Sequence, residues 1–298
     1  MSGERMSWGR DVAGLSDAAR SVPTAGCYFP LYLIQNITIT PITPISSSHS
    51  PKHKMSITLD TQKDPMGTAI AEYYAKGRAA KLRVFSSQFY EDEIPVDTLF
   101  RTLDEMPVQE QEALRLCRGR VLDVGAGSGC HSLELMNRGM EVVAIDISTL
   151  SVDVMKQRGI DARVVNFFDK TFDEKFDTIL MAMNGIGIVG RIERLPEFFM
   201  RLKQILAPGG QVLLDSSDIR YVFENEDGSF DINLAGAYYG EIDYRMQYRG
   251  VKGEPFDWLY IDFETLSMYA EQYGFRCEKC LDGEHYDYLA RLCLSSLV

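Results

Sequence analysis

A glycine-rich turn placed directly after a short apolar run is the feature that most constrains how this chain folds. Residues 121–124 read VLDV and residues 125–129 read GAGSG. The apolar run predicts a buried strand, and the glycines permit a tight turn whose backbone can approach a ligand closely. A helical pattern follows over 132–137, so the free N–H groups of a helix start face the turn. We therefore expect a strand–turn–helix unit that holds a small ligand.

The same alternation of apolar runs and helical patterns continues beyond this unit. Each run is four to seven residues long and is followed by a helical pattern or a stop signal. The predicted strands are 121–124, 142–146, 162–166, 177–183 and 211–215. Such a rhythm is typical of a parallel sheet that is covered by helices on both faces. The predicted fold class is α/β, with a doubly wound and mostly parallel sheet.

The first part of the chain has a different character. Residues 1–54 contain five of the 11 prolines and no charged residue between Arg20 and Lys52. No apolar period lasts long enough there to bury a face, so we expect a disordered segment, with Met55 as a natural start for the functional protein. Residues 55–118 show helical patterns and are predicted to form a helical cap.

The main domain is predicted over residues 119–298. An insertion at about 217–262 interrupts the strand–helix rhythm and is rich in aromatic residues. It holds two strand-like runs, 242–248 and 256–261. An insertion that follows the fifth strand emerges at the carboxyl edge of the sheet, where ligands bind in such folds. Its aromatic side chains could form a small core of their own, but this topology favours a lid, and we expect at least two of them to line a concave substrate pocket over the edge.

The charge of the chain bears on its partners. The formal net charge is −12, and residues 1–54 contribute five basic and three acidic side chains, which leaves −14 for the rest. Such a protein is repelled by phosphate backbones and by anionic membrane surfaces. We therefore expect no nucleic-acid partner, no membrane partner and a cytoplasmic location, since no apolar run is long enough to span a bilayer.

Two acidic residues help to distinguish the ligands that a glycine turn can hold. Asp123 stands two residues before the first glycine, where a carboxylate would repel a pyrophosphate but suits the amino group of a methionine moiety. Asp146 closes the second strand, where an acidic side chain accepts hydrogen bonds from ribose hydroxyls. Both cofactors contain ribose, so Asp146 fits either one and Asp123 carries the discrimination. The glycine spacing also departs from that of a dinucleotide site, because Cys130 takes the place of the third glycine. These features favour S-adenosylmethionine over a nicotinamide dinucleotide.

Residues 121–129 resemble the first motif of the class I, Rossmann-like S-adenosylmethionine-dependent methyltransferases. The strand that ends at Asp146 resembles the ribose motif of that family, and residues 206–214, LAPGGQVLL, are similar to its fifth strand and the segment before it. The resemblance covers roughly residues 118–298. It implies a sheet of seven strands, of which the last is antiparallel.

The resemblance also implies which residues hold the cofactor. The turn would bind the methionine part, Asp146 the ribose hydroxyls, and Ile147 would pack on the adenine. Asn166 stands where the family often has an acidic residue that accepts from the adenine amino group. Met183 and Asn184, after the fourth strand, would lie near the sulfonium. The full set of expected cofactor-binding residues is Asp123, Gly125, Ala126, Gly127, Gly129, Asp146, Ile147, Asn166, Phe167, Met183 and Asn184.

The resemblance implies methyl transfer to an acceptor, and we expect that acceptor to be a small molecule. The sequence contains no Ser-His-Asp order, no paired carboxylates and no metal-ligand cluster, so it indicates neither a catalytic base nor a metal. Two alternatives stay open at this point. One is a nicotinamide-dependent oxidoreductase, and the other is a non-catalytic protein that binds S-adenosylmethionine.

Overall fold

The computed structural model describes residues 59–225, 227, 229–232, 236–284 and 286–295. The segment expected to be disordered, 1–54, lies outside these residues. The strands, in chain order, are β1 (Leu82–Phe85), β2 (Asp92–Ile94), β3 (Val121–Val124), β4 (Val142–Asp146), β5 (Asp161–Val164), β6 (Phe176–Met181), β7 (Leu206–Ser217), β8 (Glu241–Tyr248), β9 (Val251–Lys252), β10 (Phe256–Leu259), β11 (Phe275–Asp282) and β12 (Asp287–Leu294). The α-helices are α1 (Pro65–Lys76), α2 (Val108–Leu116), α3 (Cys130–Asn137), α4 (Thr149–Gln157), α5 (Leu195–Ile205) and α6 (Phe263–Gln272). None of these helices is long and apolar enough to cross a membrane.

The larger sheet has seven strands in the order β11-β12-β7-β6-β3-β4-β5. Strands β3 to β7 pair in parallel, and β12 is antiparallel to both β7 and β11. The predicted doubly wound α/β fold, with seven strands of which the last is antiparallel, is therefore confirmed. Parallel strands end at a common edge, which we call the carboxyl edge, and ligands bind there in sheets of this kind.

Helices cover both faces of this sheet, which explains why its strands read as continuous apolar runs. All four residues of β3 are buried. Leu122 packs in the core shared with α5 and α6, whereas Val121 packs in the core shared with α2 and α3. Because both faces are covered, alternation of polar and apolar residues would have left polar groups in a core.

A second sheet joins two distant parts of the chain. Its order is β10-β8-β1-β2, with β9 paired to β8, and all pairs are antiparallel. Val84 of β1 stands opposite Met246 of β8, so a segment before the glycine turn pairs with the insertion after β7. We call this the lid sheet. Its inner face forms a second hydrophobic core with α1, in which Ile70 and Tyr248 are fully buried.

The lid sheet shows that the prediction of a purely helical segment over residues 55–118 is wrong. Helices α1 and α2 lie in that range, but β1 and β2 lie between them. The pattern of β1 is only four residues long, and its partner β8 is some 160 positions away in the sequence. A local period could not reveal a strand that depends on so distant a partner.

The lid lies against the carboxyl edge of the large sheet. The side-chain amide of Asn184, three residues after β6 ends, donates to the carbonyl of Leu259 in β10 at 3.1 Å. The backbone N–H of Ile261 donates to Ser216 Oγ of β7 at 3.0 Å. The indole of Trp258 lies so close to Gly187 that a side chain there would collide with it. The insertion therefore does emerge at the edge that the sequence indicated.

Candidate cofactor site at the carboxyl edge

The three glycines of the turn all adopt positive φ angles, but they serve different purposes. Gly125, Gly127 and Gly129 have φ values of 70°, 57° and 82°, a region that other residues enter only with strain. A Cβ on Gly125 would meet nothing within 4 Å, whereas a Cβ on Gly129 would collide with Ile160 and Met155. Gly125 thus leaves open space beside the backbone, and Gly129 permits close packing of α3 on its neighbours.

The backbone of the turn is fixed by the adjacent strand. The N–H groups of Gly125 and Ala126 both donate to the carbonyl of Ile145, at 2.9 and 3.2 Å. Ala126 is itself buried against the side of α4. The turn is therefore held before any ligand arrives, which reduces the ordering that binding would require.

Asp146 lies beside this turn at the end of β4. Its carboxylate accepts hydrogen bonds from the N–H of Gly127 at 3.0 Å and from the N–H of Ser148 at 2.8 Å. Burial raises the pKa of Asp146 to about 6 against these hydrogen bonds, and the nearby carboxylate of Asp64 adds to the rise. The N–H of Ile147 also contributes a hydrogen bond, which leaves one of the four lone pairs of the carboxylate for a further donor such as a ribose hydroxyl.

The residues after Asp146 expose an apolar side chain and bind the segment that precedes α1. The side chain of Ile147 is 42% exposed, as an adenine-packing residue should be before its ligand arrives. The segment before α1 reaches it, because the N–H of Leu59 donates to the carbonyl of Ile147 at 3.1 Å. Asp64, the N-cap of α1, accepts from Ser148 Oγ. Helix α1 is therefore anchored on the turn that carries the expected ribose contact.

Asp123 lies deeper than its expected role implies. Only 2% of the residue is exposed, and its carboxylate accepts from Ser132 Oγ of α3 at 2.6 Å. Burial raises its pKa, and the positive charge of His131 acts in the opposite direction. The side chain thus fixes the start of α3 against β3, and its expected contact with the methionine moiety stays a prediction.

Asn166 and Phe167 follow β5 and differ in where their side chains point. The amide oxygen of Asn166 accepts from the N–H of Phe168 at 2.9 Å, which leaves one lone pair for another donor. Phe167 is 4% exposed and packs against Phe198 in the core of the large sheet. Its ring is therefore part of that core, and its expected contact with the cofactor stays a prediction.

Met183 and Asn184 form a strained turn at the end of β6. Their φ angles are 63° and 56°, two consecutive non-glycine residues in the left-handed region, and such strain concentrates at functional sites. The N–H of Asn184 donates to Asp215 Oδ1 of β7 at 2.9 Å, and burial raises the pKa of Asp215 to about 7. Met183 packs against the core of the lid, so this turn faces both the edge and the lid.

A buried ion network lies at the start of α3, and no sequence pattern indicated it. Glu110 of α2 accepts from Arg101 Nη2 at 2.6 Å and lies 2.6 Å from His131 Nε2 of α3. Burial opposes these charges, but His131 and Arg101 hold the pKa of Glu110 below its usual range, while Cys130 and Glu110 raise that of His131 well above its own. The network fastens α2 and the segment before it to the start of α3.

Two buried polar atoms, one in the network around Glu110 and one in the turn after β6, lack a hydrogen-bond partner among the described residues. One is the donor Nε of Arg101, and the other is the acceptor Oδ1 of Asn184. Buried polar atoms are normally paired, so such atoms call for an explanation. A donor and an acceptor of this kind match the carboxylate and the ammonium group of an amino-acid moiety.

Comparison with known proteins agrees with this geometry. Residues 121–210 match a family model described as a methyltransferase domain. A crystal structure of an S-adenosylmethionine-dependent methyltransferase from Bacteroides fragilis, in complex with S-adenosylhomocysteine, is 60% identical. The match covers 81% of this chain and 98% of the Bacteroides fragilis chain, with a TM-score of 0.77.

Curated relatives give weaker matches of the same kind. The cypemycin N-terminal methyltransferase of a Streptomyces species is 34% identical over 102 residues, which span 33% of this chain and 42% of that protein. The putative methyltransferase YqeM of Bacillus subtilis is 24% identical over 180 residues, or 55% of this chain and 73% of its own. This chain thus spans less than half of the first relative.

The chain belongs to the S-adenosylmethionine-dependent methyltransferases. It is an enzyme of that class, and S-adenosylmethionine is its cofactor. Neither the oxidoreductase nor the non-catalytic alternative is favoured. The residues of the site fit the cofactor, because a Cβ on Gly125 would meet nothing within 4 Å and the carboxylate of Asp146 keeps a lone pair for a ribose hydroxyl. The roles of the individual residues stay predictions.

Proposed function

We propose that this enzyme methylates a small molecule that binds between the carboxyl edge and the lid sheet. When bound, S-adenosylmethionine supplies an electrophilic methyl group on a positively charged sulfur. The chain's own task is to hold the acceptor in line with that methyl group and to exclude water. A covered edge suits this task for a small acceptor better than for a macromolecule.

The observation that carries the proposal is the antiparallel pairing of β1 with β8 across the chain. This pairing joins the segment before β3 and the insertion after β7 into one lid sheet. The hydrogen bond from Asn184 to Leu259 attaches the lid sheet to the turn after β6. Tyr73 of α1 stacks on Phe100 at 4.7 Å between ring centroids in the same core. A nucleic acid or a folded protein would have to displace this layer.

The charges at this edge favour a neutral or cationic acceptor over a phosphorylated one. Asp218 follows β7 directly, pairs with Arg220 at 2.6 Å and accepts from the hydroxyl of Tyr239 at 2.8 Å. Asp262 accepts from the N–H of Thr265 at 2.8 Å and has no basic partner among the described residues. Asp243, another acidic residue of the insertion, does not belong to this group. Its carboxylate accepts from the N–H of Ser87 at 3.1 Å on the outer face of the lid sheet.

The test compares acceptor fractions. The enzyme is incubated with S-adenosylmethionine and with a bacterial extract divided by filtration into molecules below and above about 3 kDa, and release of S-adenosylhomocysteine is measured. We expect the small-molecule fraction to stimulate release, and Asp146→Ala to abolish most of it at low cofactor concentration. Stimulation by the macromolecular fraction alone would contradict the proposal.

A further inference from the structure

A cleft lies at the end of α2, on the face of the large sheet that this helix covers. Its volume is about 280 Å³. The residues that line it come from the end of α2, from β7 and from the last two strands, and they are Leu116, Arg118, Gln211, Arg276, Arg291 and Cys293. This volume is close to the lower limit of about 300 Å³ for ligand pockets, so the cleft suits a small molecule rather than a polymer.

The register of the strands places the cleft near the amino ends of the parallel strands. Gln211 of β7 stands opposite Cys293 of β12, which stands opposite Arg276 of β11. Gln211 is also in register with Thr178 of β6, which is in register with Val121 at the start of β3. The glycine turn begins four residues after Val121, about 13 Å further along the strand. The cleft is therefore separate from the candidate cofactor site.

Two arginines reach the cleft from the last two strands. Residues that stand opposite each other in paired strands share a face, and so do residues two apart in one strand. Arg276 is opposite Cys293, and Arg291 comes two positions before Cys293. Arg276 has no hydrogen-bond or ion-pair partner among the described residues, and it interacts with Glu278 only from a distance. Arg291 pairs with Glu278 at 2.8 Å, but its buried Nε has no partner in the described part of the chain.

A third arginine comes from the segment that follows α2. Gln211 Nε2 donates to the carbonyl of Leu116 at 2.7 Å, which fixes the end of α2 against β7. Arg118, two residues further on, donates from Nη2 to the carbonyl of Gly209 at 2.9 Å. A guanidinium has five N–H donors, so most of those on Arg118 stay available for a ligand.

The cleft holds an excess of positive charge in an acidic chain. Of its three guanidinium groups, only that of Arg291 pairs with a carboxylate among the described residues. The chain as a whole has a net charge of −12. Like charges in one cleft repel each other, and an anion that lies between them relieves this repulsion. The planar fork of a guanidinium also matches the paired oxygens of a carboxylate or a phosphate.

We propose that this cleft is a binding site for a small molecule that carries two or more oxyanion charges. Guanidinium groups bind carboxylate and phosphate oxygens through the same paired hydrogen bonds, so both classes of anion fit the chemistry of the site. The inference is independent of the proposed function, because the cleft contains none of the residues expected to bind the cofactor. The anion and S-adenosylhomocysteine should therefore bind at the same time.

A different role for Arg276 is protection of a sheet edge. Strand β11 is an edge strand of the large sheet, and charged side chains on an edge discourage pairing between molecules. That role does not account for Arg118, which follows α2, or for Arg291, which lies on the inner strand β12. If it were the whole explanation, Arg276→Gln would self-associate in sedimentation experiments and leave anion binding unchanged, and the inference would be wrong.

The first experiment measures binding of two small anions to the full chain saturated with S-adenosylhomocysteine. Sodium pyrophosphate and sodium citrate are titrated in parallel by calorimetry, at about 50 and 200 mM sodium chloride. We expect at least one of them to bind, and to bind more weakly at the higher salt concentration because exposed charges are screened. The preferred anion shows whether the site favours phosphate or carboxylate oxygens. Absence of binding by either anion at millimolar concentrations would overturn the inference.

A pair of variants tests whether binding depends on the cleft. Arg276 and Arg78 are both exposed, and neither has a hydrogen-bond or ion-pair partner in the described part of the chain. Arg78 follows α1 and does not line the cleft. We expect Arg276→Gln to weaken anion binding by about tenfold, the loss expected for a hydrogen bond to a charged group. The matched control Arg78→Gln should change it much less, and equal losses in both variants would reveal a response to net charge alone and contradict the inference.

The place of binding is measured at Cys293, which lines the cleft. Trypsin cleaves after Arg291 and releases residues 292–298, in which Cys293 is the one cysteine, while the preceding peptide, 280–291, contains only Cys280. Both thiols are free and half-buried, but Cys280 does not line the cleft. We expect the bound anion to slow alkylation of Cys293 by iodoacetamide several-fold and to leave that of Cys280 unchanged. An anion that binds in calorimetry without protecting Cys293 would lie elsewhere, and the inference would fail.

Discussion

At the scale of single residues, Asp146 holds the position on which cofactor affinity should depend most. Its carboxylate is oriented by two backbone N–H groups of the turn and of Ser148. We expect Asp146→Ala to weaken binding of S-adenosylhomocysteine by about 1–3 kcal/mol, because charge-assisted hydrogen bonds to the ribose would be lost. Isothermal titration calorimetry measures the change, and unchanged affinity would show that the ribose binds elsewhere.

The pKa of Asp146 adds a dependence on pH. Burial raises that pKa to about 6 in the folded protein, above its unfolded value, so the group destabilises the fold above pH 6, and this cost is relieved as the pH falls from 6 towards 4. Ribose hydroxyls donate to the ionised carboxylate, so binding has the opposite preference. We expect the affinity for S-adenosylhomocysteine to fall as the pH drops below about 6, by up to roughly tenfold per unit.

The control for this prediction is Asp146→Asn, which keeps the shape of the side chain but cannot titrate. Its affinity should be lower than that of the natural protein at pH 7.5 and should vary less between pH 5 and 7.5. An equally steep profile in Asp146→Asn would mean that another group, such as the neighbouring Asp64, is responsible. The pKa of Asp64 is also raised by burial.

At the scale of elements, the glycine turn predicts two distinct mutant phenotypes. Gly129→Ala combines a strained φ with collisions against Ile160 and Met155, whereas Gly125→Ala adds only strain and a methyl group in open space. We expect Gly129→Ala to lower the free energy of unfolding by about 1–3 kcal/mol more than Gly125→Ala does. Gly125→Ala should instead weaken binding of S-adenosylhomocysteine.

Gly139→Ala is the matched control for backbone strain. Its φ is 79°, a Cβ there would meet nothing within 4 Å, and it follows α3 at the end remote from the turn. Denaturant unfolding should place Gly139→Ala close to Gly125→Ala in stability, with normal cofactor affinity. Equal stability of all three variants would show that the packing around Gly129 relaxes freely.

The elements also show why some of the structure could be predicted from the sequence. Strand β3 and the glycine turn are local, since an apolar run and a glycine pattern fix them within nine residues. Residues 82–85 carry no comparable signal, because they become a strand only through pairing with β8. The buried contact between Glu110 and His131 also carries no local signal, because it depends on how α2 packs beside α3.

At the scale of the whole molecule, the large sheet carries the expected cofactor-binding residues and the lid sheet covers them. The large sheet supplies the turn, Asp146 and the strained residues after β6, all of which follow from its parallel topology. The lid sheet covers the carboxyl edge, and its strands come from two segments of the chain, one before β3 and one after β7. Because β1 precedes the glycine turn and β8 follows β7, the cover depends on the complete fold and cannot form from one segment alone.

The last prediction concerns the start of the chain. We expect a shortened protein that begins at Met55 to keep the melting temperature and the affinity for S-adenosylhomocysteine of the full chain. Residues 1–54 lack a pattern that could bury an apolar face. Beginning at Met55 also retains Leu59 and Asp64, which dock on the turn after β4.

A second shortened protein, beginning at Gly67, makes this prediction specific. It removes Asp64, whose side chain caps α1 and accepts from Ser148 Oγ, together with the bond from Leu59 to Ile147. Loss of a helix cap alone costs about 1 kcal/mol, and the turn that carries Asp146 loses its support. We therefore expect a lower melting temperature and weaker binding of S-adenosylhomocysteine than in the protein that begins at Met55. A drop of several degrees already at Met55 would mean that residues before it pack against the domain.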